Sequence, residues 1–147
     1  MKNIFYMKRA IKISKKGEFT TSPNPNVGCV IVNNNNIVGE GWHEKTGHNH
    51  AEINALNMAG KKAKGGTAYV TLEPCNHFGK TPPCTHALVN AGIKNVIISN
   101  LDPNPKVSGK GISYLKNKGI KITTNLLSQE SKKNNYGFFK RMNTGFP

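Results

Sequence analysis

Hydrophobic positions along the chain follow helical spacing first and strand-like spacing afterwards. We predict a first helix with Asn3 as its N-cap and Gly17 as its end, because helical spacing runs through Met7, Ala10, Ile11 and Ser14. The continuous apolar run 27–32 predicts a buried strand, and residues 37–42 predict a returning strand after the asparagine-rich turn 33–36. The first half of the chain therefore contains a helix followed by a β-hairpin.

Beyond the hairpin, predicted helices and strands alternate. Helical periodicity covers residues 50–59, 83–91, 108–118 and 126–134, and short apolar strands cover residues 68–72, 96–99 and 120–124. This alternation predicts a three-layer α/β domain with a sheet of about five strands. Ligands in such domains bind at strand ends and helix N-termini, so we expect the functional residues there.

Length and composition indicate one globular domain covering residues 1–147. The chain is 36% hydrophobic, and a domain of this size buries enough apolar surface to fold without disulfides. The N-terminus has no secretory h-region, and no apolar run approaches the length needed to span a bilayer. We therefore expect a cytoplasmic protein without a membrane contact, in which the three cysteines stay reduced and are available for metal.

The net charge is strongly positive but does not by itself indicate a nucleic-acid partner. Lysine and arginine total 21 against 7 acidic residues, which gives +14, yet only Arg9 and Arg141 are arginines. Nucleic-acid clamps commonly use arginine forks as well as lysines. The basic residues are scattered, and the abundance of lysine, asparagine and isoleucine is typical of an AT-rich coding sequence.

One histidine and two cysteines are spaced as ligands of a catalytic zinc ion. His50 starts a predicted helix, Cys75 follows a strand, and Cys84 opens the next helix. One imidazole and two thiolates leave a fourth zinc position for water, whose pKa the metal lowers to about 7. Thiolates near helix N-termini are favoured by the helix dipole. Glu52, two residues after His50, is suited to shuttle protons beside this water.

Other interpretations of these residues remain open from spacing alone. His77 or His86 could complete a structural four-ligand zinc site with the two cysteines. A Cys75–Cys84 disulfide is a further alternative, disfavoured by the reducing compartment. Cys29 lies in an apolar strand and is expected in the core, and Trp42 is expected to be a packing residue.

The motifs resemble those of the zinc nucleoside and nucleobase deaminases. His-x-Glu at 50–52 is followed by Pro-Cys at 74–75 and, after eight intervening residues, by Cys84. This long spacing, in the segment 73–84, resembles the pyrimidine deaminases of riboflavin biosynthesis. The resemblance extends over almost the whole chain and includes the segments 21–32, 39–43 and 102–105. It implies a cytidine deaminase-like α/β/α fold with a mixed sheet.

The resemblance also implies a reaction and a set of site residues. The expected reaction is hydrolytic removal of the 2-amino group of 2,5-diamino-6-(5-phosphoribosylamino)pyrimidin-4-one, which gives 5-amino-6-(5-phosphoribosylamino)uracil and ammonia. One zinc ion per chain would be held by His50, Cys75 and Cys84, with Glu52 as the proton shuttle. The positions that match substrate contacts in the family are Asn24, His43, His77, Lys80, Asp102 and Asn104.

Partners are also implied by the resemblance. Many family members carry a reductase domain on the same chain, and residues 136–147 resemble the junction to such a domain. No Gly-rich nucleotide fingerprint follows a strand here, so we expect a separate reductase polypeptide for the next step. The family tends to self-associate through its helices, which predicts a homo-oligomer.

Two other functions compete with the deamination of a small pyrimidine ribotide. A nucleic-acid deaminase would account for the charge, but the long cysteine spacing and the absence of an aromatic stacking platform disfavour it. A non-catalytic basic binding module with a structural zinc would leave Glu52 without a role.

Overall fold

The structure is a computed structural model and describes residues 2–17, 26–44, 48–76, 82–105, 107–133 and 135. The first described helix is α1, and five strands follow along the chain. Their bounds are α1 Lys2–Ser14, β1 Gly28–Asn33, β2 Asn36–Trp42, β3 Thr67–Leu72, β4 Asn95–Asn100 and β5 Lys121–Thr123. The other helices are α2 Ala51–Ala59, α3 Cys84–Asn90, α4 Lys110–Asn117 and α5 Ser128–Lys133, and short 3₁₀ turns cover Lys15–Gly17 and Gly60–Ala63.

The strands form one mixed sheet in the order β2-β1-β3-β4-β5. Strand β1 is antiparallel to both β2 and β3, whereas β3, β4 and β5 are parallel. The carboxyl ends of β2, β3 and β4 therefore lie at one edge of the sheet, together with the start of β1. At this edge the backbone N–H of Gly28 donates a hydrogen bond to the Thr71 hydroxyl (3.1 Å).

Helices cover both faces of the sheet, as the alternation of the sequence predicts. Strand side chains alternate between two hydrophobic clusters because successive residues point to opposite faces. One cluster lies on the side of α2, α3 and α4 and includes Ile31, Val70 and Ile98. The other lies on the side of α1 and includes Val30 and Tyr69. The predicted three-layer α/β/α architecture with five strands is therefore confirmed. Cys29 is in the first cluster, fully buried and free, as expected.

Two local predictions were wrong. Asn3 is not an N-cap but lies inside α1, where its side-chain oxygen accepts a hydrogen bond from the Tyr69 hydroxyl (2.6 Å). The last helix begins at Ser128, not at residue 126, since Leu126 and Leu127 lie in the preceding turn and pack against the cluster beside α1. Leu127 has a left-handed backbone conformation (φ 55°), which is incompatible with helix.

Trp42 is a packing residue, as predicted. Its half-buried side chain packs against the cluster on the α1 side, and the Lys16 ammonium lies 4.5 Å from the centre of its ring. Arg9 on α1 forms an ion pair with Glu40 on β2, and this contact lowers the pKa of Glu40.

Within the described part of the chain, no helix combines the length and the apolar character needed to cross a bilayer.

Helix α2 packs directly on the backbone of β2. A Cβ atom on Gly41 would lie 2.4 Å from the carbonyl oxygen of Ala51 and 2.5 Å from the backbone nitrogen of Ala55. Both alanines are fully buried. The absence of a side chain at Gly41 therefore sets the distance between the strand and the first turn of α2, which carries Glu52.

We expect Gly41→Ala to lower the free energy of unfolding by about 1–3 kcal/mol, because the added methyl group overpacks the contact between α2 and β2. Denaturant unfolding would measure the change. Asn57→Ala is a suitable control because Asn57 is exposed on the same helix. Equal stability of the two variants would contradict this account of the contact.

Candidate metal and active site

His50, Cys75 and Cys84 come together at the sheet edge where β2, β3 and β4 end. Their ligating atoms all lie within 4.8 Å of one another. The His50 Nδ1 atom is 3.3 Å from the Cys84 sulfur and 3.8 Å from the Cys75 sulfur. A tetrahedral zinc ion with ordinary bond lengths separates a nitrogen ligand from a sulfur ligand by about 3.6 Å. The three side chains are therefore placed closely enough to share one metal ion.

Each of the three residues is held by a different element. His50 is the N-cap of α2, directly before the buried Ala51 that packs on β2. Cys84 is the first residue of α3, and its backbone N–H donates a hydrogen bond to the Cys75 sulfur (3.2 Å). The backbone N–H of Thr85 donates to the Cys75 carbonyl (3.2 Å). The start of α3 therefore fixes the segment that follows β3.

The electrostatics of the two thiols suit a bound cation. The hydrogen bond with Cys84 lowers the pKa of Cys75 to about 4, and the same contact raises the pKa of Cys84. The proton thus stays on Cys84 because a second thiolate beside the first is repelled and partly desolvated. A divalent cation would remove this repulsion, since both sulfurs bind metal as thiolates. The donor set fits zinc, which favours sulfur and nitrogen ligands.

Glu52 is buried beside these three residues. Its side chain is only 3% exposed, and burial raises the pKa of its carboxyl group to about 7. This value includes the negative charge of Cys75, which also raises the pKa, and the positive charge of His50, which lowers it. A carboxyl group with a pKa near neutrality can both accept and release a proton at physiological pH.

Of the positions matched to substrate contacts, three can be located. The ring of His43 is buried, and its centre lies 5.4 Å from that of His50. Asp102 and Asn104 lie in the turn after β4, where the Asn104 backbone N–H donates to the Asp102 carboxylate (2.9 Å). Asn24, His77 and Lys80 lie outside the described residues, as does the segment 136–147.

A cavity of about 170 Å³ adjoins Cys75. Asp102 is among its lining residues, which places this residue near the metal ligands. Glu73, Asn76, Val107 and Lys110 were not predicted as site residues. Among the described residues, the lining consists of Glu73, Pro74, Cys75, Asn76, Asp102, Val107 and Lys110. Glu73 and Asn76 could have been found because they flank the Pro-Cys motif, whereas nothing distinguishes Lys110 among the many lysines.

The four-ligand alternative with His86 does not agree with the geometry. The His86 ring stacks on Tyr114, with 4.6 Å between the ring centres. In the described ranges, the metal-ligating cluster that includes the two cysteines contains His50 as its only histidine. Cys75 and Cys84 are free cysteines, so they do not form the alternative disulfide.

Comparison with known proteins decides the family. Residues 1–100 match the family model described as the cytidine and deoxycytidylate deaminase zinc-binding region. The chain belongs to this deaminase family. It is 75% identical over 147 residues to the diaminohydroxyphosphoribosylamino-pyrimidine deaminase of Buchnera aphidicola from Schizaphis graminum, with both chains fully covered. These matches confirm the predicted likeness to the zinc-dependent pyrimidine deaminases of riboflavin biosynthesis.

Longer relatives match over part of their length. The chain is 56% identical over 147 residues to the riboflavin biosynthesis protein RibD of Escherichia coli and spans 40% of that protein. The solved structure of Acinetobacter baumannii RibD superposes with a TM-score of 0.97 at 51% identity, covering 99% of this chain and 41% of that one. This structural match, together with the family model, confirms the cytidine deaminase-like fold.

We expect Cys75→Ser and Cys84→Ser to lose bound zinc, because a serine hydroxyl is a much weaker zinc ligand than a thiolate. Both variants should also unfold at lower temperature, since the segment after β3 and the start of α3 lose a shared anchor. Cys29→Ser is the control for loss of a buried thiol, as Cys29 lies in the core and is not one of the three grouped ligands. Elemental analysis of the purified proteins would contradict the assignment if Cys84→Ser retained a full complement of zinc.

Proposed function

We propose that this deaminase hydrolyses 2,5-diamino-6-(5-phosphoribosylamino)pyrimidin-4-one to 5-amino-6-(5-phosphoribosylamino)uracil and ammonia. The observation that carries the proposal is the grouping of a His-Cys-Cys ligand set with the buried carboxyl group of Glu52 beside a cavity. The Buchnera relative, which matches over its full length, has a name that describes deamination of such a pyrimidine. The match to a zinc-binding family model supports bound zinc, and the grouped His50, Cys75 and Cys84 would hold one ion per chain.

Glu52 is the proton carrier of the proposed reaction. His50, Cys75 and Cys84 would hold zinc, which would lower the pKa of a water at the site to about 7 and so supply a nucleophile at neutral pH. Glu52 accepts the proton of this water and passes it to the ring nitrogen next to the carbon that bears the amine. The water oxygen would bond to this carbon as a hydroxyl group. Glu52 would then carry the proton of that hydroxyl to the amino group, so that the carbon–oxygen double bond forms as the carbon–nitrogen bond breaks and ammonia leaves. One water is consumed for each ammonia released.

The other matched residues are proposed to hold the ribotide. His43 and Asp102 lie beside the ligand cluster and the cavity, where a pyrimidine or ribose could contact them. Asn24, His77 and Asn104 complete the proposed set. Lys80 is assigned to the phosphate because an ammonium pairs well with a phosphate dianion. Lys110, which lines the cavity, is a second cation that could serve this group.

The proposal extends to partners and location. A small phosphorylated substrate does not require the groove that a polynucleotide needs for its flanking nucleotides. The product would pass to a separate reductase. Self-association into a homo-oligomer and a cytoplasmic location stay predictions.

The first experiment gives the zinc-loaded protein the ribotide in one reaction and single-stranded DNA or RNA in another, with ammonia release as the readout. We expect turnover of the ribotide only. Turnover of nucleic acid alone would keep the zinc-dependent deamination but overturn the proposed ribotide substrate. Silence in both reactions with zinc bound would favour a structural zinc site and overturn the proposal.

We expect Glu52→Gln to retain zinc and to reduce ammonia release by at least about 100-fold, because an amide cannot carry the proton. Zinc content and kcat would be measured on the same preparation. Glu130→Gln provides the control, since Glu130 is exposed on α5. Normal turnover by Glu52→Gln would exclude the assigned role.

We expect Lys80→Ala to raise KM for the ribotide much more than KM for its dephosphorylated analogue, because the lost interaction is with the phosphate. Lys110→Ala measured in parallel shows whether the second lysine shares the phosphate. Lys12→Ala is the control, as Lys12 is exposed on α1. An equal effect of Lys80→Ala on both compounds would remove Lys80 from the phosphate site.

A further inference from the structure

The carboxylate of Glu73 is buried and accepts three backbone hydrogen bonds. Glu73 directly follows β3 and is only 6% exposed. One oxygen accepts from the N–H groups of Asp102 and Gly109, both at 3.1 Å, and the other accepts from the N–H of Gly111 at 3.2 Å. Its own backbone N–H donates to the Asn100 carbonyl at 2.8 Å, which continues the pairing of β3 with β4.

These bonds attach both ends of one loop to the same side chain. Asp102 lies at the beginning of the segment between β4 and α4, and Gly109 is the N-cap of α4 at its end. The turn between them includes Asn104, whose carbonyl accepts from the Val107 and Ser108 N–H groups. A carboxylate suits this position because it offers only acceptors, and its charge favours the N-terminus of a helix.

Close packing reinforces the same contact. A Cβ atom on Gly111 would lie 2.4 Å from the Pro74 carbonyl oxygen and 3.4 Å from a Glu73 carboxylate oxygen. The first turn of α4 is thus seated on the residue that precedes Cys75. The cavity beside Cys75 has Asp102, Val107 and Lys110 in its lining, and all three belong to the segment that Glu73 holds.

We propose that Glu73 is a positioning residue, which holds the Asp102 wall of the substrate cavity in register with the metal-ligating Cys75. Glu73 makes no proton transfer in this role and acts through the loop. The reference to substrate rests on the proposed function, whereas the role of the carboxylate in ordering the loop does not.

The kinetic test is a double-mutant cycle of Glu73→Gln and Asp102→Ala. A glutamine has a single acceptor oxygen, and its NH₂ group would face a backbone N–H, so the loop is released. We expect Glu73→Gln to raise KM for the ribotide roughly 10-fold with zinc content unchanged and kcat affected much less. In the double variant, KM should match that of Asp102→Ala alone, because Glu73 acts through that residue. Additive effects on KM, or an unchanged KM in Glu73→Gln, would overturn the proposal.

Amide hydrogen exchange tests the loop without any substrate. In Glu73→Gln, exchange should accelerate at Asp102, Gly109 and Gly111 but not in the core strand β1, and Glu130→Gln should change neither. If the wild-type protein does not turn over the ribotide, this readout still decides whether Glu73 orders the loop. Unaltered exchange at all three amides would refute the role of the carboxylate.

Gly111→Ala provides an independent variant if Glu73→Gln fails to fold. The added methyl group displaces the start of α4 from Pro74 while the carboxylate is kept. We expect the same rise in KM with zinc retained. An unchanged KM in a folded Gly111→Ala protein would contradict the proposal.

Discussion

The candidate site depends on the parallel pairing of β3 with β4, next to an antiparallel β1. This arrangement brings the carboxyl ends of β2, β3 and β4 to one edge of the sheet. His43 follows β2, Cys75 follows β3 and Asp102 follows β4, so residues distant in sequence meet there. Helix starts supply the other groups, because α2 and α3 both begin at this edge with His50 as N-cap and Cys84 as first residue.

The precision of this meeting point comes from close backbone packing. Gly41 lets α2 approach the backbone of β2, and Gly111 lets α4 approach Pro74. A side chain at Gly41 or Gly111 would displace the first turn of α2 or of α4. The first turn of α2 carries Glu52, and α4 begins with Lys110, which lines the cavity. Small residues thus determine distances that the chemistry needs, although they contribute no functional group themselves.

Electrostatic conflict is concentrated at the same edge. Two thiols lie beside a buried carboxyl group. Burial and the charge of Cys75 raise the pKa of Glu52, and the hydrogen bond with Cys75, together with burial, raises the pKa of Cys84. Such an arrangement is unfavourable for an apoprotein but is relieved by a divalent cation. This distribution of charge is consistent with a zinc-binding deaminase. A zinc ion bound at the site would also raise the free energy of unfolding.

Periodicity and motif spacing are local properties, and they were sufficient to predict the layers, the number of strands and the grouping of His50, Cys75 and Cys84. They failed for Asn3, which looks like a cap but accepts from Tyr69 across the fold, and for Leu126 and Leu127, whose burial against α1 replaces a helical turn. Only the tertiary structure decided that His86 stacks on Tyr114 rather than joining the cysteines. It alone also showed that Glu73 binds three distant N–H groups, since such contacts depend on how the strands pair and the helices pack, which no local pattern encodes.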